Sequence, residues 1–224
     1  MARFKDLVID ATDAGLLGRF WARATGLQMR IQDNGDGVLI DGIAEHTLWV
    51  NGVPEPCSVK QRVHLDLQGA SEAEFEALGA RIDTRHPGWT VMRDPEGGEF
   101  CAFTRDPSVL SPYRVYELVV DAAEPQTIAS WWAGSFGTVP RHNPGDPYWW
   151  LDFGAGTGLP WPMVFNLVPE PKQVKNRVHW DVWGHRDDVL AAGATLVRPR
   201  DAKIGWDVLA DPEGNEFCVF APAG

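Results

Sequence analysis

Two stretches of the chain repeat one order of ionisable residues, in which lysine, arginine, histidine and aspartate alternate with other side chains. Successive side chains of a β-strand point to opposite faces, so each series is predicted to share one strand face. An imidazole can move a proton near neutral pH, and a guanidinium can bind a carboxylate or enolate through two hydrogen bonds. A solvated strand face gives a similar alternation, but the second copy favours a lined cavity. The series are Lys60, Arg62, His64 and Asp66 within residues 59–67, and Lys175, Arg177, His179 and Asp181 within residues 174–182.

The composition indicates a globular chain rather than a disordered one. With 224 residues, 44% of them hydrophobic and 23% charged, it is long enough for two domains. The net charge of -11 argues against a nucleic-acid partner, whose phosphates require a surplus of lysine and arginine. The three cysteines form no C-x-x-C pair, and neither a signal segment nor a long apolar run is visible. We therefore expect a cytoplasmic protein with no membrane partner, either a monomer or a homodimer.

The two halves of the chain align nearly end to end. Trp21 corresponds to Trp132, and His64 corresponds to His179. The link between the halves lies near residues 105–112, which contain two prolines. We predict one domain at residues 1–106 and a second at residues 112–224.

Each half is predicted to contain two successive units of one strand, one helix and three strands. Residues 4–10 alternate as a strand, and a helix with Thr12 or Asp13 as its cap is predicted to end at Gly26. A second helix is predicted over residues 71–81, after the strand at residues 59–67. The chain therefore contains four predicted βαβββ modules.

These motifs resemble the vicinal oxygen chelate superfamily, the glyoxalase and bleomycin-resistance fold. The resemblance lies in residues 13–21, in Arg62-Val-His64 and in Asp94-Pro-Glu-Gly-Gly-Glu-Phe-Cys101, all repeated in the second half. It covers nearly the whole chain. It implies an α+β fold of two tandem glyoxalase-like domains, each built from two paired βαβββ modules that form a half-barrel cavity.

The resemblance also implies positions for the residues that bind a ligand or a divalent metal. Metal enzymes of the superfamily carry a carboxylate at the last-strand position, where this chain has cysteine, so the implied ligand set is degenerate. The first-strand positions are Asp6 and Glu117, the opening-strand positions are His64 and His179, and the last-strand positions are Cys101 and Cys218.

Glu99 and Glu216 can supply the missing carboxylate, because each precedes its cysteine by two residues and shares its strand face. A site of Asp6, His64 and Glu99 suits Mn, Fe or Zn. The alternative is that Glu99 pairs with Lys60 or Arg62 across neighbouring strands and that Cys101 is a small buried side chain. Whether a metal is bound stays open at this point.

A metal-free cavity can also use these residues. Glu99 is predicted to orient His64, because residues two apart on one strand, such as His64 and Asp66, are separated by about 6.6 Å. A fully hydrogen-bonded core histidine is the alternative. The candidate catalytic residues are His64, Glu99, His179 and Glu216, and the candidate ligand-binding residues are Asp6, Asn51, Lys60, Arg62, Cys101, Glu117, Asn166, Lys175, Arg177 and Cys218.

The leading interpretation is a tandem glyoxalase-like protein that binds a small organic molecule and performs lyase, isomerase or related proton-transfer chemistry. The alternative is a non-catalytic protein that sequesters a drug or metabolite, as bleomycin-resistance members of this fold do. The chain has 11 tryptophans and a surplus of acidic residues, which suit a cationic aromatic guest. The residues leave open which of the two cavities works and whether turnover occurs.

Overall fold

The computed structural model describes residues 1–222, which form two β-sheets and four α-helices. None of these helices combines the length and the apolar character needed to cross a bilayer. Two 3-10 helices lie at Ala44–His46 and Pro107–Val109. The other elements are β1 (Arg3–Ala11), α1 (Ala14–Thr25), β2 (Gln28–Ile31), β3 (Gly37–Ile40), β4 (Leu48–Gly52), β5 (Val63–Gly69), α2 (Glu72–Glu76), β6 (Arg81–His86), β7 (Trp89–Arg93), β8 (Glu99–Thr104), β9 (Val115–Ala122), α3 (Pro125–Phe136), β10 (Tyr148–Leu151), β11 (Met163–Leu167), β12 (Val178–Trp183), α4 (Arg186–Ala191), β13 (Thr195–Arg198), β14 (Asp207–Ala210) and β15 (Glu216–Phe220).

The first helix confirms its predicted ends, whereas the second is shorter than predicted. The Asp13 side chain accepts a hydrogen bond from the Leu16 amide at 2.8 Å, and Gly26 ends α1 in the left-handed conformation at φ 80°. The predicted helix over residues 71–81 ends at Glu76 instead. Gly79 has φ 108°, a backbone conformation that a helix cannot contain.

The modules pair between the two halves of the chain. In the eight-stranded sheet, β1 pairs antiparallel with β12, and in the seven-stranded sheet, β5 pairs antiparallel with β9. The strand orders are β13-β14-β15-β12-β1-β4-β3-β2 and β10-β11-β9-β5-β8-β7-β6. Each sheet therefore joins one module from each half. The four modules and the tandem glyoxalase-like architecture confirm the predicted fold class. The third module has two strands after its helix, β10 and β11, where three were predicted, and each module pairs with a module of the other half.

The helices explain why the two modules of one half do not share a sheet. Phe20 and Trp21 of α1 pack on Phe100 of β8, with ring centroids 5.8 and 5.7 Å apart. Trp132 of α3 packs in the same way on Phe217 of β15, at 4.9 Å. The modules of one half thus meet through their apolar helix-side faces, which leaves their first-strand edges free to pair with the other half.

The strands that carry the two histidines begin later than the alternation predicts. β5 begins at Val63 and not at residue 59, and β12 begins at Val178 and not at residue 174. The Gln61 amide donates to the Glu99 carboxylate at 3.1 Å, and the Asn176 amide donates to Glu216 at 3.1 Å. Because these two amides donate to carboxylate side chains and not to a neighbouring strand, the segments before β5 and β12 lie outside the sheets.

The domain boundaries at residues 1–106 and 112–224 stay a prediction, and the cross-half pairing makes them testable. Each half produced alone exposes the edges of two central strands, so we expect it to aggregate or to self-associate. Co-expression of both halves is expected to give a soluble one-to-one complex, measured by co-purification through a tag on one half. A stable monomer of either half, with cooperative urea unfolding, would contradict this arrangement.

Candidate functional site

Two similar polar clusters lie on the sheet faces opposite the helices. The first, called the His64 cluster, consists of His64 and Asp66 on β5, Cys101 on β8 and Glu117 on β9. The Nε2 atom of His64 lies 3.5 Å from Oδ1 of Asp66 and 3.6 Å from Sγ of Cys101. Glu117 is the antiparallel partner of Asp66. Four groups that can each hold a proton therefore converge at one place.

The second, called the His179 cluster, consists of His179 and Asp181 on β12, Cys218 on β15 and Asp6 on β1. The Nε2 atom of His179 lies 3.8 Å from Oδ1 of Asp181 and 3.7 Å from Sγ of Cys218. Asp6 is the antiparallel partner of Asp181. The two clusters are therefore equivalent, residue for residue, in the two repeats.

The predicted grouping of Asp6 with His64 and Glu99 is wrong. Asp6 lies on the eight-stranded sheet beside Asp181, whereas His64 lies on the seven-stranded sheet beside Glu117. The histidine and the first-strand acid of each site come from different halves because β1 and β9 pair across the halves.

Asp66 and Asp181 are members of the two clusters that the sequence analysis did not select as candidates. Backbone distance along a strand placed each of them too far from its histidine, but rotation of the two side chains brings Nε2 and Oδ1 within 4 Å. The available signal was the repeated His-x-Asp itself. Asp66 lies beside the register shift at Asp66/Leu67, where β5 bends against β9.

Glu99 and Glu216 share the sheet face of the clusters, but other residues neutralise them. Glu99 lies 3.3 Å from Arg93, and Glu216 lies 2.7 Å from Lys172. Glu99 therefore forms an ion pair, as the alternative predicted, but with Arg93 rather than with Lys60 or Arg62. Both glutamates also accept a hydrogen bond from the backbone amide just before the strand that carries the histidine, and this contact positions the start of that strand.

The predicted basic residues lie away from the histidines, in a cleft between the halves. Lys60 pairs with Asp121 at 2.5 Å, and Lys175 pairs with Asp10. Arg62 and Arg177 line the same cleft. The remaining candidates, Asn51 and Asn166, lie on neighbouring strands in register with Asp10 and Asp121, respectively.

Burial sets the proton affinities of the His64 cluster. It lowers the pKa of His64 from 6.5 to about 4 and raises the pKa of Glu117 from 4.5 to about 7. Burial and the neighbouring Glu117 charge raise the pKa of Asp66 well above its usual range, and burial also raises the pKa of the Cys101 thiol. At neutral pH this cluster therefore holds a neutral imidazole beside carboxyl groups that retain protons.

The His179 cluster differs in containing a buried ammonium. Burial and the Lys175 charge lower the pKa of His179 to about 4, while burial and Asp6 raise the pKa of Asp181. Nζ of Lys5 lies 2.5 Å from Asp6, 3.9 Å from Asp181 and 4.2 Å from the Phe220 ring centroid. The Trp49 indole also donates to Asp6, at 3.0 Å.

Tyr116 occupies the position of Lys5 in the His64 cluster, directly before the first-strand acid. Among residues 1–222, neither Asp66 nor Glu117 forms an ion pair with lysine or arginine. No lysine or arginine therefore contacts the acids of the His64 cluster, although the Arg105 charge lies near enough to lower the pKa of Glu117, whereas Lys5 contacts both acids of the His179 cluster.

The His64 cluster fits the divalent metal that the fold implies. His64, Asp66 and Cys101 each contribute one donor atom, and these atoms lie within 4.8 Å of one another. Oδ1 of Asp66 is buried and has no hydrogen-bond partner within the described residues. Nitrogen, oxygen and sulfur donors together suit zinc or iron. His179, Asp181 and Cys218 offer the same donor atoms, but a metal there must compete with Lys5.

Comparison with known proteins establishes the family. The model of the family described as glyoxalase-like domain matches residues 6–103 and again residues 117–220. The chain therefore belongs to the glyoxalase-like domain family and contains two such domains in tandem. No curated protein matches the chain in a sequence comparison.

Solved structures share the fold over the whole chain. Glyoxalase I from Zea mays is 12% identical with a TM-score of 0.64, covering 98% of this chain and 92% of its own. A provisionally assigned dioxygenase from Bacillus subtilis is 11% identical with a TM-score of 0.66, covering 99% and 86%. The cppA protein from Streptococcus pneumoniae is 12% identical with a TM-score of 0.53, covering 99% and 100%. At these identities the similarity shows the fold alone.

Replacement of Glu117 by glutamine is expected to stabilise the metal-free protein above neutral pH. Because burial raises the pKa of Glu117 from 4.5 to about 7, the native state keeps a proton that the unfolded chain releases between these values. Stability contributed by that proton falls as the pH rises through this window. Glutamine cannot ionise, so the variant is expected to gain about 1 to 3 kcal/mol over the wild type near pH 8.

Urea unfolding in the presence of a chelator, near pH 5 and near pH 8, measures this difference. The matched control is Glu76→Gln, which changes an exposed glutamate. Identical pH dependence of unfolding in wild type and Glu117→Gln would show that Glu117 does not hold the proton.

Proposed function

We propose that the chain binds a small organic molecule at its concave sheet faces and transfers protons there, in a reaction of the lyase or isomerase type. The observation that carries this proposal is the duplicated convergence of an imidazole, two carboxyl groups and a thiol at one buried place in each sheet. A solvated strand face does not require such groups to be buried together, because each costs free energy to remove from water.

Two groups of the His64 cluster suit the two halves of a proton transfer. His64 is neutral at pH 7 because burial lowers its pKa to about 4, so one ring nitrogen can accept a proton. Glu117, with its pKa raised to about 7, holds and releases a proton near the working pH. Oδ1 of Asp66 lies 3.5 Å from Nε2 of His64. The natural substrate class is a carbonyl compound that loses or moves the proton on the carbon beside the carbonyl.

A divalent metal held by His64, Asp66 and Cys101 would polarise the carbonyl oxygen of the substrate, which leaves Glu117 to carry the proton. The chain's own residues determine which cluster accepts that metal. Lys5 already neutralises Asp6 and Asp181 in the His179 cluster. Tyr116, its counterpart in the first cluster, has no positive charge. The His64 cluster is therefore the metal site of this proposal.

We expect the apo protein to bind one equivalent of zinc tightly, and His64→Ala to remove this binding. His179→Ala is the matched control and is expected to retain one equivalent. Lys5 and Tyr116 occupy equivalent positions, and exchanging them is expected to change the zinc stoichiometry in opposite directions. Lys5→Tyr is expected to raise it to two equivalents, and Tyr116→Lys is expected to abolish zinc binding. Calorimetric titration and elemental analysis measure all five proteins. Equal loss in His64→Ala and His179→Ala, or unchanged stoichiometry in both exchange variants, would contradict the assignment.

Proton transfer is expected to appear as hydrogen exchange into a carbonyl substrate. The metal-loaded protein would be incubated in heavy water with a panel of 2-oxo acids, hydroxyketones and hemithioacetals, and deuterium incorporation beside the carbonyl followed by NMR. For a compound that exchanges, Glu117→Gln is expected to reduce the rate by roughly 10²- to 10⁴-fold and to remove the pH limb near 7. The control Glu76→Gln is expected to retain both. Stabilisation by a compound that shows no exchange would instead establish a binding protein.

A further inference from the structure

A cleft of about 850 Å³ lies between the segments that connect β4 to β5 and β11 to β12. Its lining comes from residues 53–62 and 168–177, together with Asp10 and Asp121. These two segments are equivalent in the repeats, and so are the two aspartates. The cleft therefore lies on the approximate twofold axis that relates the halves. Neither His64 nor His179 is among its lining residues, so it is separate from the two clusters.

The cleft is more basic than the rest of the chain. Asp10, Glu55, Asp121 and Glu170 are its four acidic lining residues, against five lysines and arginines. The whole chain has 20 basic and 31 acidic residues. Glu96 and Glu216, which pair with Arg177 and Lys172, lie outside the lining and bring the nearby acids to six. The surroundings of the cleft are thus close to neutral, and the exposed ammonium groups of Lys60 and Lys175, rather than the net charge, favour an anionic ligand.

Two ammonium groups can donate into the cleft. Lys60 pairs with Asp121, and Lys175 pairs with Asp10, so each lysine binds an aspartate of the opposite half. The lysine side chains are 58% and 59% exposed, whereas the aspartates are 2% and 7% exposed. An ammonium has three N–H donors, so each lysine keeps donors for a ligand after pairing with its aspartate.

Arg62 and Arg177 stabilise the sides of the cleft, because their guanidinium groups bind other groups of the protein. Arg62 donates to the backbone carbonyl of Glu170 and, at 2.8 Å, to that of Asp121. Arg177 donates to the carbonyl of Glu55 and pairs with Glu96 at 2.9 Å. Each guanidinium thus ties the connecting segment of the other half, which fixes the width of the cleft.

Apolar side chains lie directly beside the two lysines. Val59 and Val174, the residues before Lys60 and Lys175, are 42% and 46% exposed and line the cleft. Pro56 and Pro171 line it as well. An apolar ligand surface placed here removes these side chains from water at a gain of roughly 25 cal/mol for each Å² buried.

We propose that this axial cleft binds an organic dianion with an apolar body, whose two acidic groups contact Lys60 and Lys175. The twofold arrangement of ammonium groups and valines matches a molecule with a similar acidic group at each end. The cavity volume lies in the range that holds drug-sized ligands. Asp10 and Asp121 are buried and already paired, so the ammonium groups, not these acids, face the ligand.

The test uses sebacate, an aliphatic dicarboxylate, as the probe, with decanediamine as the probe of opposite charge. Sebacate is expected to raise the Tm of the wild type and to bind in calorimetric titration, whereas decanediamine is expected to do neither. Lys60→Gln and Lys175→Gln are each expected to weaken sebacate binding about tenfold, as loss of one charge-assisted hydrogen bond predicts. Stronger stabilisation by decanediamine than by sebacate would overturn the assigned ligand charge.

Each lysine substitution leaves a buried aspartate unpaired, so a second pair of variants keeps both ion pairs intact. Val59→Glu and Val174→Glu add an acid at exposed positions of the cleft and are expected to weaken sebacate binding at least tenfold through charge repulsion. Val139→Glu, at a valine that is 61% exposed and lies outside the cleft lining, is the matched control and is expected to bind as the wild type does. Equal sebacate affinity in all three valine variants, or no binding to the wild type, would overturn the proposal.

Discussion

The antiparallel pairing of β1 with β12 and of β5 with β9 is the constraint on which the other features depend. Inside its own module, β1 pairs with β4 on one side only, so its other edge presents backbone donors and acceptors that require a partner. The second half supplies that partner. The pairing puts Asp6 opposite Asp181 and Glu117 opposite Asp66, so each polar cluster contains residues of both halves.

The motif Asp94-Pro-Glu-Gly, which carries part of the family resemblance, joins the two modules within each half and contributes no residue to the two clusters. The Asp94 carboxylate accepts the Glu96 and Gly98 amides at 2.9 Å, which fixes the turn. The Glu96 carboxylate then accepts the Thr12 and Asp13 amides at the start of α1. Glu213 makes the equivalent bonds to the Ala123 and Glu124 amides in the second half. Each turn therefore connects the second module of a half to the helix of the first, where the apolar helix-side faces already pack.

The two clusters show how one fold supplies two charge states from one donor set. Both remove an imidazole, a thiol and two acids from water, and burial raises the pKa of Asp66 and Asp181. In the His179 cluster the ammonium of Lys5 compensates the acids, and the Phe220 ring covers that ammonium. In the His64 cluster the uncharged Tyr116 stands at that position, and the Arg105 charge acts on Glu117 without an ion pair.

The sequence by itself determined the local features and the repeat. Strand alternation, the Asp13 cap, Gly26 and the duplicated motifs depend on neighbouring residues, so they predicted four modules and placed His64 and His179 on equivalent strands. The tertiary structure decided which module edges meet, and so it grouped Asp6 with His179, moved Lys60 and Lys175 into the axial cleft and brought Asp66 to His64. Those outcomes depend on contacts between residues of opposite halves and on side-chain rotation, which the order of residues along one strand does not contain.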